Sequence, residues 1–235
     1  MGNPRLSPSM MCADIFRLGE TIRLFEKLAV PYLHIDVMDG SFVPNIMLGT
    51  AEVRQMREFS SLPMDIHLMI EEPGDKLEWF GPQKGDYISV HAETTRHLQR
   101  VLAKIRALGA KPMAAINPAT PLAAVEEVFP DVDAVLVMTV NPGYAGQKLV
   151  PQSLDKIRRL RNMLDDRGLQ DVEIEVDGNV TLKNAVKMRK AGADIFVAGT
   201  SLIFREGDME EHILNFDREM RKLDTLDRPL LSSGT

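Results

Sequence analysis

Three short stretches of this 235-residue chain carry residues able to bind a cation or move a proton. They read His34-Ile35-Asp36-Val37-Met38-Asp39-Gly40, Asp65-Ile66-His67-Leu68-Met69 and Glu173-Ile174-Glu175-Val176-Asp177-Gly178. Each has the length and apolar content of a buried strand. A period of two puts His34, Asp36 and Met38 on one face, and Asp65, His67 and Met69 on one face of the next stretch. Asp177 falls at the carboxyl end of the third. Taken singly, a strand histidine is ordinarily a hydrogen-bonded core residue, and a strand-end aspartate caps the next helix. Two imidazoles and two carboxylates together resist that reading, because carboxylates among apolar side chains are heavily desolvated or protonated. A divalent cation compensates both charges. Two nitrogens and two oxygens suit zinc, iron(II), manganese or cobalt better than calcium or magnesium. The expectation is one divalent metal per chain, on His34, Asp36, His67 and Asp177.

A second set of residues is glycine-rich: Asn141-Pro142-Gly143-Tyr144-Ala145-Gly146-Gln147, then Asp177-Gly178-Asn179, then Gly199-Thr200-Ser201. Glycines let the backbone approach a ligand and turn its N–H groups toward an anion. Each loop alone is ordinary turn chemistry. Three of them after consecutive strands point to a phosphate monoester. Such a site needs no basic residue, which agrees with a net charge of −6. That charge gives no reason to expect nucleic acid or an anionic membrane as partner.

The elements that must position these groups recur at roughly 27-residue intervals, close to one βα unit each. Strands are expected near Leu6–Met10, Tyr32–Met38, Met64–Ile70, Tyr87–Ala92, Pro112–Ile116, Ala134–Val140, Val172–Val176 and Ile195–Ala198. Helical spacing follows, as in Ile15-Leu18-Ile22-Phe25-Leu28 and Leu154-Ile157-Leu160-Leu164. Thr120-Pro121 and Val150-Pro151 signal helix starts, and Gly109, Gly168 and Gly192 signal ends. Strict alternation implies parallel strands with right-handed crossovers. Eight units favour an α/β fold of the (β/α)8 TIM-barrel type, a single domain over 1–225, with a flexible tail over 226–235. An open doubly wound sheet is the alternative. In a barrel the reactive groups sit at the carboxyl ends of the strands.

No apolar run approaches the ~20 residues that span a bilayer. With one cysteine, Cys12, no intramolecular disulfide forms, and the expected location is cytoplasmic. Cys12 reads as a small buried hydrophobe rather than a nucleophile. His91 and Glu93 share a strand face, either as supports for a metal ligand or as ordinary core partners. His97 and His212 read as solvated helix residues. A homo-oligomer is the expected assembly.

These motifs, with Ser7-Pro8-Ser9, Phe42-Val43-Pro44-Asn45 and Met138-Thr139-Val140-Asn141-Pro142-Gly143, resemble the ribulose-phosphate 3-epimerase family from about Ser7 to about Phe204. The resemblance implies the metal set already named, with Asp36 and Asp177 also forming the acid/base pair. It implies that Ser7 and His67 contact the substrate and that Met38, Met69 and Met138 line the metal pocket. The phosphate end falls to Gly143, Tyr144, Ala145, Gly146, Gly178, Asn179, Gly199 and Thr200. Ala145, Asn179 and Thr200 depart from the commoner pattern and look more like the allulose-6-phosphate 3-epimerase branch. The expected reaction is inversion at C3 of a phosphorylated 2-ketose, leaning to D-allulose 6-phosphate/D-fructose 6-phosphate over D-ribulose 5-phosphate/D-xylulose 5-phosphate. A metal-free decarboxylase or isomerase barrel is the enzymatic rival, although it would place a lysine beside His34 and Asp36. A non-catalytic phosphosugar-binding protein is the rival of another class.

Overall fold

The computed structural model describes residues 3–226. Its strands are β1 (Arg5–Pro8), β2 (Leu33–Asp39), β3 (Ile46–Met47), β4 (Met64–Met69), β5 (Tyr87–His91), β6 (Lys111–Ile116), β7 (Ala134–Met138), β8 (Glu173–Asp177) and β9 (Ile195–Ala198). All eight expected strands are present. The addition, β3, pairs antiparallel with the end of β2, Met38 opposite Met47. Around the wall the order is β1, β9, β8, β7, β6, β5, β4, β2, each joined to the next by a parallel ladder. The last seam, between β1 and β2, is a single bridge from Ser9 to His34. The Ser9 hydroxyl donates to Asp36 Oδ2 across it at 2.6 Å. The molecule is the expected single-domain (β/α)8 barrel.

Among the described residues, six α-helices surround the strands: α1 (Leu18–Lys27), α2 (Thr50–Phe59), α3 (Leu98–Ala107), α4 (Gln152–Asp166), α5 (Leu182–Ala191) and α6 (Met209–Leu226). Apolar spacing sets their buried faces: Ile22 and Phe25 in α1, and Ile157, Leu160 and Leu164 in α4. Each such fully buried side chain contributes about 1.5–3 kcal/mol relative to exposure. Gly192 ends α5 in the left-handed conformation.

Two crossovers depart from the expected helices. Between β4 and β5 the chain makes only 3-10 turns, Pro73–Asp75 and Leu77–Phe80. Between β6 and β7 it makes Leu122–Ala124 and Glu126–Asp131, with Pro130 inside the second. Proline removes an N–H donor and clashes with the preceding turn, so the Thr120-Pro121 signal starts no α-helix. Ile15 also leaves its expected stripe: it sits in a 3-10 turn and is 72 % exposed. His97 is exposed just before α3, but His212 is buried with Nδ1 facing the Ile203 carbonyl, which corrects its assignment to the surface. The expected tail, 226–235, lies outside the described residues except for Leu226, the end of α6.

At the amino-terminal end of the barrel, Arg5 donates to the Tyr32 hydroxyl at 2.8 Å and pairs with Glu173, to which the Tyr87 hydroxyl donates at 2.6 Å. This plug leaves the carboxyl end of the strands as the place for a ligand. Among the described residues, no helix is long and apolar enough to cross a membrane.

Candidate active site

Strand periodicity turns the expected residues inward near the carboxyl end of the barrel. His34 and Asp36 of β2, His67 of β4 and Asp177 of β8 offer ligand atoms that all lie within 4.8 Å of one another. His34 Nε2 and His67 Nδ1 each stand 3.3 Å from Asp36 Oδ1, and His67 Nδ1 stands 3.8 Å from Asp177 Oδ2. Bonds of about 2.0–2.1 Å to a tetrahedral ion put neighbouring ligand atoms about 3.3 Å apart. The 3.3 Å contacts are longer than the usual 2.7–2.9 Å between a charged N–H and a carboxylate. The spacing and the mixed donor set therefore fit a divalent metal.

Asp36 and Asp177 line a cavity above this cluster, while His34 and His67 are fully buried outside its lining. β2 and β8 are three steps apart around the wall, through β1 and β9. The two carboxylates consequently approach the cavity from different sides. Burial pushes the Asp177 carboxyl up to about 7, with the charge of Asp36 adding to it. Asp36 is also buried, but the facing His34 and His67 override burial and hold its carboxyl far below the usual range. Burial opposes a proton on His34 as well, yet Asp36 and Asp65 raise that imidazole well above its ordinary value. An excess of negative charge collected around one point is what a cation would neutralise.

The same cavity is lined by Met38, Met69 and Met138, and by Gly143, Tyr144, Ala145, Gly146, Gly178, Asn179, Gly199 and Thr200. The three glycine loops therefore converge, as their spacing suggested. The loop after β7 is anchored onto the segment after β2: Asn45 Nδ2 donates to the Gly143 carbonyl at 3.0 Å and the Tyr144 hydroxyl to the Pro44 carbonyl at 2.8 Å. Gly178 has φ +114°, and a Cβ there would meet Val140 at 2.5 Å, so only glycine fits. Asn179 has φ +49°, a conformation asparagine tolerates better than most residues. Its amide donates to the Gln147 carbonyl at 2.7 Å and accepts from Asn184 at 2.9 Å. That side chain ties together the loops after β7 and β8.

Ser7, expected beside the substrate, is fully buried one layer lower, where its hydroxyl donates to Asp65 Oδ2 at 2.8 Å. Ser9 of the same motif lines the cavity instead. Three contributions went unread in the sequence: Ser9 on Asp36, Asp65 on His34, and Glu175 beneath them. Asp65 Oδ2 lies 2.7 Å from His34 Nδ1, which leaves Nε2 toward Asp36. Glu175 Oε1 lies 3.5 Å from His34 Nδ1, and burial with the charge of Asp65 raises its carboxyl well above the usual range. The inward period of two that marked Asp177 also marks Glu175, and it marked Asp65. Cys12 lines the cavity too, its thiol pushed up by burial, which makes it a poor nucleophile.

Behind His67 runs a polar chain through the neighbouring strands. His67 Nε2 is 2.8 Å from His91 Nε2, and His91 Nδ1 is 3.2 Å from Glu93 Oε2. Glu93 Oε1 accepts from the Asn117 N–H at 2.8 Å and from the Thr120 hydroxyl.

A closed barrel whose carboxyl-terminal mouth joins two facing aspartates, a metal-ready histidine pair and three glycine loops is the frame of an isomerase that works on carbohydrates. Residues 5–204 match the Ribulose-phosphate 3 epimerase family, and the chain belongs to that family. It is 43 % identical to the ribulose-phosphate 3-epimerase of Bacillus subtilis (strain 168) over 209 residues, which cover 89 % of this chain and 96 % of that one. The enzyme of the same name from Synechocystis is 45 % identical, with 84 % and 86 % covered. That of Escherichia coli (strain K12) is 36 % identical, with 93 % and 96 % covered. Solved structures share the fold at low identity. The 3-keto-L-gulonate-6-phosphate decarboxylase of Vibrio cholerae aligns with a TM-score of 0.66 at 12 % identity, covering 94 % of this chain and 99 % of that one. The orotidine 5'-phosphate decarboxylase of Pyrococcus horikoshii aligns at 0.64 and 14 %, covering 92 % and 99 %.

Proposed function

We propose that the protein inverts C3 of a phosphorylated 2-ketose, with Asp36 and Asp177 moving protons on opposite faces of the sugar. The observation that carries this is the convergence of two carboxylates from separate strands on one cavity whose far side is three glycine loops. Removal of a proton from the carbon beside a carbonyl and its return to the opposite face needs a base on one side and an acid on the other. Asp36 is held ionised by Ser9 and the histidines, so it is set to accept a proton. Asp177 faces it across the reacting carbon and would deliver one in exchange. Bound at His34, Asp36, His67 and Asp177, a divalent metal would supply Lewis-acid stabilisation of charge on the sugar's oxygens. Zinc, iron(II), manganese and cobalt all suit that donor set. Met38, Met69 and Met138 cover the reacting carbons with polarizable groups that hold no competing proton. Ser7 acts from below through Asp65, and backbone N–H groups of the three loops take the phosphate.

For the sugar we place D-ribulose 5-phosphate/D-xylulose 5-phosphate first. Relatives at 36–45 % identity are named ribulose-phosphate 3-epimerases, which favours the pentulose. D-allulose 6-phosphate is the second reading, favoured by Ala145, Asn179 and Thr200 at the phosphate end. It is the weaker one, because the Asn179 amide is already engaged with Gln147 and Asn184. One additional carbon changes binding only modestly, by about 1–3 kcal/mol. The ratio of kcat/KM for the two phosphates should favour the pentulose by about 10-fold or more. A ratio below one places the chain with the hexulose enzymes, and equal turnover of unphosphorylated sugar removes the role given to the loops.

The reading extends to a homo-oligomer, in the cytoplasm expected from the single cysteine. Its support is an apolar face where Ile15, Phe16 and Ile46 are 72 %, 95 % and 80 % exposed beside a groove lined by Met47, Leu48 and Phe59. Apolar surface of this kind marks an interaction site, and a second copy of this chain is the occupant proposed. Sedimentation should show a dimer or larger species that Phe16→Glu shifts to monomer. A monomeric wild type ends this part of the proposal.

A further inference from the structure

We propose that His91 and Glu93 are positioning residues that hold His67 in the tautomer whose Nδ1 lone pair faces Asp36 and Asp177. The inference rests on the metal-site reading and follows from counting donors along the chain of contacts behind His67. Glu93 Oε1 already accepts a main-chain N–H from Asn117 and a hydroxyl from Thr120. That segment is pinned by Lys156, whose ammonium donates to the carbonyls of Asn117, Pro118 and Thr120 at 2.7–2.9 Å. A carboxylate so placed is an acceptor only, so the proton between Glu93 Oε2 and His91 Nδ1 belongs to the imidazole. A neutral His91 then has a bare Nε2. The 2.8 Å contact between the two Nε2 atoms needs one proton, and it must come from His67. The rings lie as an edge-to-edge bond requires, with centroids 5.0 Å apart and planes 26° apart. With its proton on Nε2, a neutral His67 keeps Nδ1 free, and Nδ1 is the atom 3.3 Å from Asp36 Oδ1.

The alternative is an imidazolium at position 91 with protons on both nitrogens. It would place a full charge on a wholly buried ring, and burial disfavours the charged form. The opposite tautomer of His91 would turn a lone pair onto the Glu93 carboxylate. Only one arrangement satisfies every donor and acceptor. It also makes the two metal-facing histidines mirror each other: Asp65 fixes His34 with Nε2 inward, and Glu93, through His91, fixes His67 with Nδ1 inward.

The test pairs a spectroscopic readout with metal affinity, using the full chain. In 15N-histidine NMR of the zinc-loaded wild type, His91 should carry its proton on Nδ1 alone, with coupling across the hydrogen bond from His67 Nε2–H. A proton on His91 Nε2 overturns the proposal without any variant. In Glu93→Gln the amide can donate to His91 Nδ1 and reverse the relay. Zinc affinity by chelator competition should then fall about 10–100-fold, and Glu93→Asp should recover part of it. Unchanged affinity in Glu93→Gln overturns the relay while leaving the metal site intact. A wild type that binds no zinc overturns the metal reading itself, and with it this inference.

Discussion

Asp36→Asn and Asp177→Asn should each lower epimerase turnover by on the order of 10³-fold, the size expected when a general acid or base is lost. An asparagine keeps the shape of the side chain and one acceptor oxygen but cannot take or give the proton. The two variants should not be equivalent in partial reactions. Each retains one carboxylate on one side of the cavity, so each should still exchange the C3 proton of one epimer with deuterated solvent and fail with the other. A single-acid mechanism predicts instead that one variant loses all exchange while the other keeps turnover. Since both residues are also candidate ligands, metal content is measured alongside. A variant that keeps its metal, loses turnover and retains one-sided exchange isolates the proton-transfer role. Near-wild-type turnover in either one defeats the two-carboxylate mechanism.

The barrel wall was readable because each strand is a short, nearly continuous apolar run, which parallel strands covered on the outside require. The reactive side chains were readable because they break that pattern on the inward phase: His34 and Asp36 alternate with Ile35 and Val37. The same phase contains Asp65 and Glu175, but nothing in one dimension tells a ligand from the residue that orients it. Height in the barrel does not supply that distinction, because a candidate ligand and the residue that orients it can sit side by side. Asp65 and His34 are register partners on β4 and β2, and the next pair up is His67 and Asp36. Ser7 and Ser9 differ by the same step, which is why the serine beside Asp36 is Ser9. The two crossovers without α-helices were misread because spacing alone does not register what Pro73 and Pro130 do to a turn. His212 was misread because its burial comes from α6 packing back over Ile203, a contact far from local sequence.

Removing the divalent metal should take epimerase activity below about 1 % of its starting value, and returning zinc, manganese, cobalt or iron(II) should restore it. His67→Ala should lower affinity and activity together, since one of four ligands is lost while both carboxylates remain. The stripped site makes a further demand on pH. Burial opposes a charge on His34, yet Asp36 and Asp65 raise it well above its ordinary value and so favour a proton on the nitrogen that must ligate. Asp177, pushed up to about 7 by burial and by Asp36, adds a second proton as pH falls through that value. A metal competes with these protons, so affinity must fall as pH falls. It should fall more steeply below about 7, where Asp177 adds its proton. Chelator competition with zinc between pH 6 and pH 8.5 reads this slope directly. A flat profile would mean that the cation meets a site already free of protons, contrary to the crowding of His34, Asp36 and Asp177. Full turnover in a rigorously stripped preparation would go further and leave the two aspartates to invert the carbon without help.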